Sequence, residues 1–315
     1  MLKVGLIGVG GITGAHIPAW DSMEDAELVA LCDVRPEMME KYPNKRHYTD
    51  YREMLAQEQL DIVDICLPTY LHVDVAVDAM NHGCHVICEK PISLKEEDVE
   101  RAYSTAKKNN VRFMIAQVLR FWPEYTLLKE IIDTEKYGKL LSGYMGRLGN
   151  MPGWSWDGWM GDEARSGLVP FDLHIHDLDF MVYALGQPKE VITSRARRPE
   201  QDYIHAVYRY DDFFITAEAS WYGSPYPFGA RFRFQFERAV VAMEFDGLKI
   251  YERGGGVVDL SQQGGLDTGD IALPKSDAYA NEIRYFADCV KAGVDADKVK
   301  PEELKTVIRI LNSFQ

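Results

Sequence analysis

The stretch "KVGLIGVGGITG" (3–14) limits what this chain can fold into more than any other. An apolar run of strand character leads directly into Gly8, Gly10 and Thr13, which occupy the positions of G-x-G-x-x-G/A, and a helical pattern follows. The first glycine allows the tight turn. The second lets the backbone approach a pyrophosphate at the helix N-terminus, where unpaired amides and the helix dipole favour an anion. Thr13 departs from the small residue usual at the third position, and Gly14 beside it relieves the crowding. Asp33 closes the next strand-like run, "ELVALCD" (27–33), where a carboxylate accepts ribose hydroxyls. Strand, loop, helix and acid together predict a dinucleotide site. Asp33 favours NAD, because it repels a 2′-phosphate; Arg35, two residues on, is placed to pair with that phosphate and leaves NADP open.

The first third continues in the same alternation, the signature of a parallel sheet wound with helices. "DIVDICLP" (61–68) reads as a strand, followed by a helix over about 71–81 and the strand "HVICE" (85–89). A charged helix is expected to open at Ser93 with Glu96 as its capping-box partner. "RFMIAQ" (112–117) closes the unit. After "RFWPEY" the texture changes to one helix (about 125–135), a strand near 140–147, a Trp- and Gly-rich loop and a helix over "FDLHIHDLDF" (171–180). From about 190 to 260 the chain is strand after strand. "RFRFQFE" (231–237) alternates strictly, which puts Phe232, Phe234 and Phe236 on one face and Arg231, Arg233 and Gln235 on the other. "DG" at 246–247 marks a hairpin, and "GGG" at 254–256 a hairpin loop. Two helices, near 279–292 and 301–313, finish the chain.

A chain of 315 residues exceeds what one core usually spans. The expected architecture is α/β: a doubly wound parallel sheet over 1–120 and an α+β domain over 121–315 with a large open, mainly antiparallel sheet. The C-terminal helices are allowed to pack back on the first domain. A formal net charge of −14 argues against nucleic acid or anionic membrane as a partner. Five cysteines in no paired spacing point to reduced thiols and a cytoplasmic protein. They sit in or beside apolar runs and read as buried and inert. No long apolar run or cleavage site follows the N-terminal stretch, which therefore reads as the first strand rather than a signal peptide.

"CEKP" places Glu89, Lys90 and Pro91 just after a strand of the parallel sheet. Ligands of such sheets bind outside the carboxyl ends of the strands, so Lys90 is expected where a nicotinamide and its substrate meet. Thr69 and His72, in "PTYLH", are candidates to line the cofactor, and His72 serves equally as a helix-start residue. The candidate cofactor set is Gly8, Gly10, Gly11, Ile12, Asp33, Leu67, Pro68, Thr69, His72, Glu89 and Lys90. His16 lies either near the cofactor phosphates or in a local capping role.

In "FDLHIHDLDF", a helix puts Asp172, His176 and Asp179 at i, i+4 and i+7 on one face, with His174 roughly opposite His176. A helical i, i+2 histidine pair does not readily chelate one ion, so no metal is expected. A solvated helix face and acid–base chemistry remain, and the second is preferred. Histidine is the side chain suited to take a carbinol proton near neutrality. His176 is the expected base, Asp172 its orienting partner or a substrate contact, and Lys90 the group that stabilises the developing alkoxide. Arg120 either touches substrate or holds the domains together. Trp154, in "WSWDGW" (154–159), offers a flat apolar face to a sugar ring or packs the long loop.

"GVGGITGAH", "CLPTYLHVDVAVDAMNHGCHVICEKP", "RFWPEY", "SGLVPFDLHIHDLDF" and "SDAYANEIRYF" together resemble the Gfo/Idh/MocA oxidoreductase family (glucose-fructose oxidoreductase and inositol dehydrogenase-like), in order and over nearly the whole chain. The resemblance implies a Rossmann domain and an NAD(P)-dependent enzyme acting on a sugar, polyol or related hydroxyl or ketone. It supports Lys90, Asp172 and His176 as the catalytic positions. It also implies a C-terminal open sheet used for oligomer contact (a homo-oligomer, dimer or tetramer) and a cis peptide before Pro91. Where the family pattern D-x-G-x-H has glycine, this chain has His174. The family also includes redox-assisted glycosidases that use tightly held NAD, and a non-catalytic dinucleotide sensor is the third reading. The sequence ends at "ILNSFQ", where the family pattern often continues into a last short segment.

Overall fold

The computed structural model describes residues 1–261 and 277–314. They fall into two compact units, one of residues 1–121 and 277–305, the other of residues 122–261 and 306–314. In the first unit the chain runs β1 (Leu2–Ile7), α1 (Thr13–Asp21), β2 (Ala26–Cys32), β3 (Arg46–Tyr48), α2 (Tyr51–Gln57), β4 (Ile62–Ile65), α3 (His72–Asn81), β5 (His85–Glu89), α4 (Glu96–Asn109) and β6 (Phe113–Ala116). All six strands are parallel, in the order β3-β2-β1-β4-β5-β6. This is the doubly wound Rossmann order, with its switch point between β1 and β4. The residues of β4 and β6 are buried throughout, as expected for strands covered on both faces.

One expected boundary is wrong for a local reason. α4 begins at Glu96, not Ser93, and its N-cap Lys95 makes no side-chain capping bond. Ser93 Oγ accepts from Lys95 N at 3.1 Å and donates to Asp98 Oδ2 at 2.5 Å, so the serine closes a turn ahead of the helix. The Asp50-capped α2 and the short β3 were not read from the sequence: β3 is three residues long and its buried face is slight.

The second unit contains α5 (Pro123–Asp133), β7 (Leu140–Asn150), α6 (Glu163–Ser166), a wide π-helical turn over Pro170–His174, and α7 (Ile175–Leu185). It continues with β8 (Glu190–Arg198), β9 (Gln201–Arg209), β10 (Phe214–Tyr222), β11 (Gly229–Phe236), β12 (Ala239–Glu244), β13 (Gly247–Glu252) and β14 (Val257–Asp259). The eight strands are ordered β14-β13-β12-β11-β7-β10-β9-β8. Every neighbouring pair is antiparallel except β7 with β10. On β11 the alternation appears as read, with Phe232, Phe234 and Phe236 buried and Arg233 and Gln235 exposed. The hairpin at Asp246–Gly247 forms between β12 and β13, where Gly247 opposes Glu244 at φ +101°, a conformation that favours glycine.

Tyr125 of α5 centres the core of this unit, its ring 5.0 Å from that of Phe180 on α7 and 5.1 Å from that of Phe232 on β11. Beside it Arg147 of β7, 3% exposed, reaches Asp177 Oδ1 of α7 at 3.0 Å, and Asp177 is fully buried. Removing one partner of such a pair leaves the other charge buried and uncompensated. Arg147→Met is therefore expected to cost about 3–5 kcal/mol, read as a lower urea midpoint. The double variant Arg147→Met/Asp177→Leu should recover most of that loss. Equal midpoints for the single and double variants would show that the pair is not what matters.

The chain returns to the first unit with α8 (Ala278–Ala292) and enters α9 (Pro301–Leu311). α8 packs on α1, and its Arg284 Nη1 donates to Asp25 Oδ1 at 2.7 Å. "SDAYANEIRYF" begins at Ser276, outside the described residues; the rest of it forms the start of α8.

Candidate active site

The glycine loop leaves β1 through Gly8, at φ +93°. A Cβ on Gly8 would lie 2.7 Å from the Cys66 carbonyl oxygen at the end of β4, so both the turn and this close approach require glycine. Above Gly10 nothing lies within 4 Å of where a Cβ would sit. The open space over Gly10, the partly exposed residues Gly10, Gly11 and Ile12, and the start of α1 directly after them fit the phosphates of a dinucleotide. Leu67 and Pro68, at the neighbouring carboxyl end of β4, are also partly exposed. Asp33 stands at the end of β2 and accepts Val9 N at 2.8 Å, tying itself to the loop. Arg35 grips the same carboxylate, through Nε at 3.0 Å and Nη2 at 3.1 Å.

Below the loop lies a polar network that the motif reading did not find. His16 of α1 is fully buried, with Nδ1 2.8 Å from Asp64 Oδ2 of β4 and Nε2 3.0 Å from Glu89 Oε1 of β5. Trp20 Nε1 donates to the same Asp64 oxygen at 2.7 Å. Burial opposes charge on His16, yet the Asp64 carboxylate and neighbouring Cys66 outweigh it and hold the imidazolium well above its ordinary range. The protonated ring donates to both carboxylates. His16, Asp64 and Cys66 are the group among the described residues that brings three metal-ligating atoms within 4.8 Å of one another. Its histidine nitrogens already face carboxylates, which suits a proton better than an ion. The visible signal was Asp64 itself, an acid inside the apolar run "DIVDICL".

Glu89 turns its carboxylate into this network and its other oxygen accepts Lys90 N at 3.0 Å. Lys90 is half-buried at the carboxyl end of β5, and the peptide bond from Lys90 to Pro91 is cis. Thr69 is buried. The side chain of His72, the first residue of α3, is buried between the Pro91 and Leu67 carbonyl oxygens, each 2.7 Å from a ring nitrogen. It braces two strand-end segments at the start of α3. Arg120, read from the sequence either as a substrate contact or as a residue holding the domains together, is buried. Its side chain has no exposed surface and Nη1 donates to the Lys298 carbonyl at 2.7 Å and to Glu303 Oε2 at 2.5 Å, all within the first unit. In these contacts the buried guanidinium acts as a strut for the returning segment.

In the second unit the wide turn over Pro170–His174 alters the face expected for "FDLHIHDLDF". Asp172 and His176 are half-buried, whereas Asp179 is 1% exposed and does not share their exposure. Trp221 Nε1 of β10 donates to Asp172 Oδ2 at 3.3 Å, a partner with no sequence signature. His174 is buried, with Nε2 2.5 Å from the Tyr208 hydroxyl and its ring edge-on to Phe314. Burial, reinforced by Arg147, pushes its pKa down to about 3, so it is a neutral core residue. Trp154 is 65% exposed on its loop, so it is not packing that loop together.

Two family models match the chain. That of an oxidoreductase family with an NAD-binding Rossmann fold covers residues 2–117, and that of the GFO/IDH/MocA C-terminal domain covers residues 125–242. D-glucoside 3-dehydrogenase of Escherichia coli (strain K12) is 31% identical over 195 residues, 59% of this chain and 55% of that protein. Myo-inositol 2-dehydrogenase of Thermotoga maritima is 30% identical over 203 residues, 61% of this chain and 57% of that protein. The matched stretch thus spans little more than half the length of these relatives. Among solved structures, an oxidoreductase from Agrobacterium radiobacter in complex with NAD+, L-tartaric acid and magnesium superposes with a TM-score of 0.83 at 18% identity, covering 99% of this chain and 95% of that one. A levoglucosan dehydrogenase in complex with NADH gives 0.82 at 19%, with the same coverage. At such identity these two establish the fold. Among the described residues no helix is long and apolar enough to cross a membrane.

Proposed function

The chain belongs to the Gfo/Idh/MocA oxidoreductase family, and we propose that it moves a hydride between nicotinamide and a sugar, polyol or related hydroxyl or keto substrate. The observation that carries this reading is Lys90 at the carboxyl end of β5, in the same parallel sheet whose β1 and β4 ends carry the open glycine loop. Names of relatives, an inositol and a glucoside dehydrogenase, support the substrate class.

A bound nicotinamide ring supplies the hydride acceptor or donor. The protein's own task is the proton. As a carbinol carbon becomes a carbonyl, its hydroxyl must lose a proton, and His176 takes it as general base. Asp172, with one oxygen held by Trp221, orients the imidazole or bonds the substrate. Lys90 places its ammonium against the oxygen on which negative charge develops. Glu89 and His16 keep the backbone at Lys90 in place from below. In the reverse direction His176 returns the proton. Trp154 is proposed to stack on the substrate's apolar ring face. A homo-oligomer assembled through the exposed face of the eight-stranded sheet, in a cytoplasmic setting, is part of the same proposal.

A nicotinamide absorbance screen over sugars, polyols and their keto forms, with NAD and NADP in turn, tests the reading. Steady reduction with one substrate is the expected result. Release of free sugar from a glycoside without net reduction would replace it with a redox-assisted glycosidase. Dinucleotide binding with no turnover on any member of the panel would favour a sensor.

A further inference from the structure

We infer that His72 is a positioning residue for Lys90: its buried ring holds the carbonyl of Pro91, the residue after the lysine, against the end of the neighbouring strand. The inference rests on the reading of Lys90 as the group that steadies a developing oxyanion, and it concerns what keeps that group in place.

Lys90 stands where the sheet stops supporting the chain. β5 ends at Glu89, and the lysine is followed by a proline, which has no amide to donate. On the strand side, Lys90 N donates to Glu89 Oε2 at 3.0 Å. On the far side the grip falls on the Pro91 carbonyl oxygen, 2.7 Å from His72 Nδ1. The lysine therefore sits between two anchored points. The other end of the ring is fixed as well. His72 Nε2 lies 2.7 Å from the Leu67 carbonyl oxygen. Leu67 follows Cys66, whose amide donates to the Ile7 carbonyl of β1 at 2.8 Å, and β4 pairs with both β1 and β5. The His72 backbone is held too, its amide bonded to the Thr69 carbonyl as α3 begins.

His72 is 1% exposed, so these bonds form in a low-dielectric setting that strengthens them. Both carbonyls only accept. The imidazolium holds the two together, and the neutral ring holds one at a time. Burial, the largest influence, lowers the His72 pKa; the Pro91 and Leu67 carbonyls and then Glu89 oppose it, and Lys90 adds to it. Near neutral pH the ring is thus mainly neutral, and the bond to Pro91 is the one that serves the lysine.

Two substitutions separate the ends of the ring. Asparagine carries its amide at the reach of Nδ1, and glutamine at that of Nε2. His72→Asn therefore keeps a donor for Pro91, whereas His72→Gln keeps one for Leu67 alone. Competitive acetylation of the full chain with acetic anhydride, read at each lysine by peptide mass spectrometry, reports how Lys90 is held without any cofactor or substrate. His72→Gln should raise labelling at Lys90 and leave Lys129 and Lys249, in the second unit, as in the wild type. His72→Asn should stay near the wild type at all three. With the panel member that gives steady reduction in the absorbance screen, His72→Gln should lower kcat about tenfold to hundredfold, the cost of a small misplacement. KM should change little, and affinity for the dinucleotide fragment ADP-ribose, read by titration calorimetry, should stay within about threefold of wild type. His72→Asn should recover most of the rate. Equal effects of the two substitutions, or Lys90 labelling that does not move in His72→Gln, would overturn the inference. So would a kcat loss that follows the drop in urea midpoint in both variants. Near-normal turnover of Lys90→Ala would instead overturn the reading of Lys90 on which it stands, and the labelling would still decide whether His72 positions the lysine.

Discussion

Alanine at Lys90 is expected to abolish measurable turnover while dinucleotide affinity stays within a few-fold of wild type. Removing one donor aimed at a developing oxyanion costs roughly 10²–10³-fold in rate, and a share in the proton transfer adds to that. The fold should tolerate the change. Lys90 is half-buried, and the turn it begins is held through its backbone: its amide donates to Glu89 Oε2, and Glu89 Oε1 faces the buried His16. Steady-state kinetics beside fragment binding separates the roles. Near-normal turnover would remove Lys90 from the mechanism. Parallel loss of binding and turnover would make it a cofactor-holding residue.

The doubly wound sheet was legible because its signals are local. A glycine loop between strand and helix states its own geometry, and apolar runs separated by helical patterns allow few other arrangements. The same holds for β11, where a period of two in "RFRFQFE" fixes which side is buried. What stayed hidden depends on residues distant in sequence. His16 reads as one more helix residue until β4 and β5 bring Asp64 and Glu89 to its two nitrogens, 48 and 73 positions away. Arg120 in "RFWPEY" looks placed for substrate, but Glu303 and the Lys298 carbonyl return from the far end of the chain and bury it. The wide turn at Pro170–His174 belongs to the same class. A heptad-like count assumes uniform α-helix, and one longer hydrogen-bonded turn moves Asp172 relative to Asp179 without any change in composition. For Asp33 the sequence supplied both residues of the pair, but only the folded chain shows that Arg35 already occupies the carboxylate.

Alanine at His176 is expected to lower kcat by roughly 10²- to 10⁴-fold, the range for a general acid–base group, with a much smaller change in dinucleotide binding. The neighbouring histidine is unable to substitute. His174 is buried against Tyr208, and its pKa of about 3 leaves it a very weak base at neutral pH. Asp172→Asn should cost less than His176→Ala, because it retains the size that packs beside Trp221 and removes only the charge proposed to stabilise an imidazolium. The relay makes a sharper demand when combined with the first result. If Lys90 and His176 serve one proton and one oxygen, the double alanine variant should be scarcely slower than the worse single variant, since groups acting as a unit are strongly non-additive. Multiplying losses would mean two independent contributions and would dissolve the relay. Activity that rises with added zinc and vanishes with a chelator would assign the histidine to an ion rather than a proton.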